Sequence, residues 1–235
     1  APSPAARAPA SAPEPTRHRP AVPSTPAVRP QAATPSAAAA EAATLARQAR
    51  SLPELEKAIA AFDGCGLKRT ASRVCFFRGA ETARVMIVGE APGREEDLAG
   101  KPFVGPAGQL LDKMLRAAGI EPDTTHITNM VYWRPPGNRT PTPEEVDVCL
   151  PFLTRQIEFV GPEFVLVLGA AAAKGLLGIE EGITRARGVW RELSMAGRTM
   201  RAMATLHPAY LLRTPAAKRH AWRDVLVVKN ALKAP

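Results

Sequence analysis

"ARVMIVGEAPGREED" (residues 83–97) decides the fold. Val85, Met86, Ile87 and Val88 form an apolar run that stops at Gly89, the pattern of a buried parallel strand. Four acids follow within eight residues: Glu90, Glu95, Glu96 and Asp97. The turn is therefore not a phosphate loop. It lacks the GxxxxGK[ST] pattern, and its carboxylates would repel phosphate. Its plain reading is a tight Gly-Pro turn carrying surface acids. Its functional reading is a strand end that presents Glu90 to a ligand.

Outward from this stretch, strands and helices alternate. Before it, Ser51-Leu-Pro-Glu54 predicts a capped helix running to about Phe62. After it, "AGQLLDKMLRAAGI" (107–120) has helical apolar spacing, and "HITNMVYW" (126–133) reads as the second strand. Thr142-Pro-Glu-Glu145 is a capping box for a helix through Ile157. "EFVLVLGA" (163–170) is the third strand, with a short Ala-rich helix behind it. "MRAMATLH" (200–207) is the fourth strand, and "KRHAWRDVLVVKNALK" (218–233) the closing helix. The order predicts a three-layer α/β/α fold with a mainly parallel four-stranded sheet. Ligands of such sheets bind beyond the carboxyl ends of the strands. Glu90, Asn129 and His207 fall there, from three different strands.

Composition changes near residue 40. Residues 1–40 are rich in Pro, Ala and Ser and contain no Phe, Leu, Ile or Trp. They cannot bury enough apolar surface to offset chain entropy, so a disordered tail is expected, with the folded domain over 41–235. The tail has no apolar segment of the signal-peptide kind, and no run in the chain is long and apolar enough to cross a membrane. The formal net charge of +9 is either a solvated basic surface or the mark of a polyanion partner, most simply nucleic acid. Three cysteines, Cys65, Cys75 and Cys149, are too few for a disulfide framework, and a cytoplasmic protein is expected.

Several side chains have both a plain and a chemical reading. Phe103 sits in a Gly/Pro-rich loop, "GKPFVGPAGQLL" (100–111), either as a satellite of the core or as a platform for a base. In "HPAYLLR" (207–213), His207 is a structural or a catalytic histidine, and Leu211 and Leu212 are core or a DNA wedge. Asn129 and Asn138, in "HITNMVYWRPPGNR" (126–139), put amides at a strand end and in the loop after it.

Taken together, "GEAPGREED", "GKPFVGPAGQLL", "ITN", "RPPGNRTPTPEE", "LPFLTRQIE" and "HPAYLLR" resemble the family 4 uracil-DNA glycosylases, in order and nearly without gaps over about residues 60–232. The resemblance implies a DNA-repair enzyme that hydrolyses the N-glycosidic bond of uracil in DNA and leaves an abasic site. It also implies a role for each matching residue. Phe103 stacks on the flipped uracil, and Asn129 reads its edge. His207 stabilises charge at O2, and Leu211 fills the vacated stack. Glu96 crowds the C5 side against thymine. Glu90, Ala91 and Asn138 line the place of the attacking water. Related families carry an Asp where Ala91 stands here, so Glu90 and Asn138, or the backbone, must place the water. The implied partner is uracil-containing DNA, met by a monomer at the bacterial nucleoid.

One feature departs from that family, whose members hold a [4Fe–4S] cluster on four cysteines. Cys65 and Cys149 keep two of the positions, whereas Phe62 and Trp133 stand at the other two. Cys75 aligns with an apolar strand residue, and His126, seven residues before Trp133, is the histidine nearest to it in sequence. Two thiolates cannot hold a cubane that takes four. The expectation is no cofactor and no metal, with the cluster site refilled by core, against the competing idea of a remodelled metal site on Cys65, Cys149 and a third ligand. Competing readings are a non-catalytic or covalent-trapping relative that binds uracil or abasic DNA, and a small-molecule nucleotide-binding protein. The trapping relative has a basic, His-containing insertion after the second strand, whereas here "RPPGNRTP" runs straight on. A small-molecule site leaves Phe103, Leu211 and the charge unexplained.

Overall fold

A strand whose every side chain is apolar must be covered on both faces, and the central strands here are. The computed structural model describes residues 36–233. In it β1 (Arg78–Gly79), β2 (Val85–Gly89), β3 (His126–Asn129), β4 (Phe164–Leu168), β5 (Trp190–Met195) and β6 (Arg198–Thr205) form one sheet in the order β1-β3-β2-β4-β6-β5. The helices are α1 (Ala37–Gln48), α2 (Leu52–Ala61), α3 (Arg94–Ala99), α4 (Pro106–Ala117), α5 (Pro143–Val160), α6 (Ala170–Leu177), α7 (Ile183–Ala186), α8 (Pro208–Arg213) and α9 (Lys218–Lys233). Side chains alternate across the sheet. Met86, Val88, Val165 and Val167 face Leu153 and Ile157 of α5 and Leu176 of α6. Val85, Ile87, Phe164 and Leu166 face Leu111 and Leu115 of α4 and Val225 and Val228 of α9.

The expected four-stranded sheet is the parallel centre, β3-β2-β4-β6, of a six-stranded mixed sheet. The edge strands β1 and β5 run antiparallel to their neighbours. β1 is too short to leave a pattern. β5, "WRELSM", is only partly covered and lacks an apolar run. The turn joining it to β6 is Ala196-Gly197, both at positive φ (55° and 69°), the geometry of a two-residue hairpin but without the usual Asn or Asp as a signal.

Two further boundaries move. β3 ends at Asn129 because its partner β2 ends at Gly89, the residue paired with it. Val131, Tyr132 and Trp133 then leave the sheet for the core under α1, α2 and α5. The tail boundary expected at residue 40 lies earlier. Ser36 caps α1 by accepting from the Ala39 N–H at 3.2 Å, and Ala39, Ala42 and Ala46 are buried. Alanines carry little apolar area but form helix well, so a short Ala run was enough to begin the body. The rest of the expected tail, residues 1–35, lies outside the described residues. Thr142 and Glu145 form the expected capping box. No described helix is long and apolar enough to cross a membrane.

Candidate active site

The carboxyl ends of β2, β3 and β6 open onto a cleft of about 440 Å³. Glu90, Asn138 and His207, expected to act on the bond, all line it. So do Ala91, Glu96, Phe103 and Asn129, expected to hold the base.

Asn129 is the floor. It is the last residue of β3 and is 1% exposed. Its Oδ1 is buried without a hydrogen-bond partner. An unmet buried acceptor costs about 1–3 kcal/mol, so such an atom marks a place where a donor is to arrive. Gly89 lies beside it at the end of β2, and a Cβ there would collide with both Asn129 Oδ1 and the Phe103 ring. The absent side chain is what lets strand, amide and ring meet.

Phe103 is buried, at φ 55°, a left-handed conformation that a bulky residue adopts only when its surroundings impose it. Its ring centroid lies 5.8 Å from that of His207, with the planes 31° apart. Glu96 imposes the loop. Its Oε2 accepts from the Gly93 N–H at 3.1 Å and its Oε1 from the Gly105 N–H at 2.9 Å. The carboxylate thus ties together both ends of the segment that carries Phe103. Asp97, next in sequence, accepts from the Ser72 N–H at 2.7 Å and fixes α3 to the preceding loop.

His207 caps α8, and its Nδ1 accepts from the Ala209 N–H at 3.1 Å. The neutral ring must therefore carry its proton on Nε2. Burial, with the nearby Arg213 charge, pushes its pKa down to about 4. The residue is a neutral hydrogen-bond donor at ordinary pH. Asn138 sits at φ 56° in the exposed loop after β3, where its Oδ1 accepts from Arg134 Nε at 2.7 Å. Glu90 is half-buried at the rim.

Leu211 is a correction. Expected as an exposed wedge, it is 1% exposed and packs with Leu206, Ala217 and Ala221 against Leu110 and Met114 of α4. The phase of α8, set by the His207 cap, turns it inward and leaves Tyr210 and Leu212 outside. Tyr210, with Arg94, Arg139 and Arg213, lines the cleft without having been singled out from the sequence. The only available signal was helical phase: three residues past an N-cap, a side chain returns to the cap's side.

The four positions of the expected lost cluster do meet, in one buried core. Phe62 packs edge-on against Phe152 at 5.3 Å, and Trp133 edge-on against Tyr132 at 6.3 Å. Cys65 and Cys149 share this core; their pairing lowers the Cys65 pKa, and that pairing with burial raises the Cys149 pKa. Cys75 stands apart, its thiol donating to the Glu96 carbonyl at 3.1 Å, and burial raises its pKa to about 12. Among the described residues no three His, Cys, Asp or Glu side chains are grouped to hold a metal. Two thiols set among packed aromatic rings do not fit a [4Fe–4S] cluster.

The uracil DNA glycosylase superfamily model matches residues 76–226. A type-4 uracil-DNA glycosylase of Archaeoglobus fulgidus is 39% identical over 169 residues, covering 70% of this chain and 85% of that protein. One from Pyrobaculum aerophilum is 39% identical over 178 residues (74% and 91%), and one from Thermotoga maritima 40% over 172 residues (72% and 88%). The matched stretch includes every residue placed around the cleft, and on these grounds the chain belongs to the uracil DNA glycosylase superfamily, among its type-4 members.

Proposed function

We propose that the protein removes uracil from DNA by hydrolysing the N-glycosidic bond, leaving an abasic site as the first step of base excision repair. The observation that carries this is the unpartnered Asn129 Oδ1 in the cleft floor, beside an aromatic ring and a neutral imidazole. Uracil supplies the missing donor at N3–H, and its O4 accepts from the Asn129 amide nitrogen. Cytosine brings a lone pair at N3 and a donor at C4, the reverse pattern.

Phe103 stacks on the flipped base. His207 Nε2–H donates to O2, where negative charge grows as the C1′–N1 bond breaks and its electron pair leaves with the base. The sugar becomes oxocarbenium-like, and water adds hydroxyl to C1′ while its proton is released. Glu90 and Asn138 hold that water at the rim, since Ala91 offers no carboxylate. Glu96 acts by holding the Phe103 loop against the C5 edge. A neutral donor suits this chemistry because it needs no proton transfer to lower the charge at O2.

The loop from Arg134 to Pro141 contains no histidine, so a covalent trap has no nucleophile there. The enzyme then works as a monomer on genomic DNA in the bacterial cytoplasm, without iron. The test is alkali cleavage of an oligonucleotide holding one uracil after incubation with purified protein. Strand scission at the uracil is expected, and its absence with both single- and double-stranded substrates would sink the reading.

A further inference from the structure

Among the described residues four large apolar or aromatic side chains are exposed: Leu98, Val189, Tyr210 and Leu212. Only Tyr210 also lines the cleft. Its place is fixed by the backbone. The Tyr210 N–H donates to the His207 carbonyl at 2.9 Å, and the Tyr210 carbonyl accepts from the Thr214 N–H at 2.8 Å. Leu211, next along, is locked into the core against α4, so α8 cannot rotate to exchange the two side chains without emptying that cluster. The result is a planar ring held at the lip of the base pocket, three residues from the imidazole that addresses the base. Arg213 lines the same cleft and places a cation there.

We propose that Tyr210 is the side chain that enters the duplex and occupies the stack vacated by the flipped base, with Leu211 as its anchor in the core. This rests on the glycosylase reading and adds to it which residue opens duplex DNA. Flipping from a duplex leaves a gap between neighbouring bases, and an inserted apolar or aromatic side chain replaces the lost stacking. A tyrosine ring can stack on either neighbour, whereas a leucine can only fill space. A single strand has no stack to hold open, so the contribution is specific to duplex substrate.

The experiment measures single-turnover excision from a uracil-containing duplex and from the same strand alone. It uses the wild type, Tyr210→Ala, Tyr210→Phe and Leu212→Ala. The expected result is that Tyr210→Ala lowers the duplex-to-single-strand rate ratio by about tenfold or more. Tyr210→Phe and Leu212→Ala should keep the wild-type ratio. An unchanged ratio in Tyr210→Ala overturns the proposal, as does a fall in Leu212→Ala alone. An equal loss on both substrates makes Tyr210 a wall of the base pocket and also overturns it. Wild-type protein inactive on both substrates removes the glycosylase reading itself, an outcome distinct from these.

Discussion

In the proposed mechanism Asn129 is the residue that decides substrate. Replacing it by Asp keeps an acceptor in the floor but removes the donor to O4 and sets a negative charge against a leaving anion. Asn129→Asp should lower uracil excision by about a hundredfold or more and admit slow cytosine release, because the carboxylate can accept from the cytosine amine. Excision kinetics on matched uracil and cytosine oligonucleotides check this, and unchanged uracil kinetics would show that Asn129 does not read the base. The place of this residue was legible in the sequence, as an amide on a strand end. That its oxygen is unpartnered was not, because that depends on what β2 and the Phe103 loop withhold. Leu211 and Tyr210 show the same limit. Adjacent residues trade core for surface through a helix phase that only the His207 cap and the α4 contact define.

At the scale of elements, β3 and α5 are joined by a buried polar chain. His126 Nδ1 bonds the Ala80 carbonyl at 2.7 Å, its Nε2 meets Gln156 Nε2 at 2.8 Å, and Gln156 Oε1 accepts from the Tyr132 hydroxyl at 2.9 Å. Burial lowers the His126 pKa to about 4, and burial with the Arg213 charge does the same for His207. Both folded values lie below the unfolded one of about 6.5, so the unfolded chain binds more protons as pH falls. The stability held above pH about 6.5 should therefore decline toward pH about 4, by up to about 1.4 kcal/mol per pH unit for each histidine. Urea midpoints at stepped pH measure it, and His126→Gln should remove part of the slope. The core joining α1, α2 and α5 yields another prediction. Purified protein should be colourless and free of stoichiometric iron, by visible absorption and metal analysis. Trp133→Ala should cost about 3–5 kcal/mol, as a fully buried ring leaves a cavity. A brown protein with four irons per chain would overturn the packing argument.

For the whole molecule, the open quantity is what residues 1–35 add. They carry Arg7, Arg17, Arg19 and Arg29 against the single acid Glu14. Each cation near a phosphate releases a counterion. Deleting residues 1–35 should raise the Kd for DNA and flatten its log–log salt dependence by up to about 0.9 per arginine engaged. Single-turnover excision at saturating enzyme should not change, since every residue around the cleft lies beyond residue 88. A tenfold or greater loss of that rate would place the tail in the active site. The layering of the body was readable because β2 and β4 carry uninterrupted apolar runs and β6 ends in a buried one, Ala202 to Ala204. The edges were not, because β1 has two residues and β5 is half-exposed, and both exist through their neighbours. The meeting of Phe62, Cys65, Trp133 and Cys149 was foreseen from resemblance alone, since residues so far apart in sequence share no local pattern.

The packed Phe62 and Trp133 rings carry a consequence for the cell's metal economy. On the cluster-free reading proposed above, the fold is closed by its own side chains and awaits no delivery from an assembly machinery. Under iron starvation, or when superoxide strips exposed clusters from other enzymes, this repair activity should persist at its ordinary level.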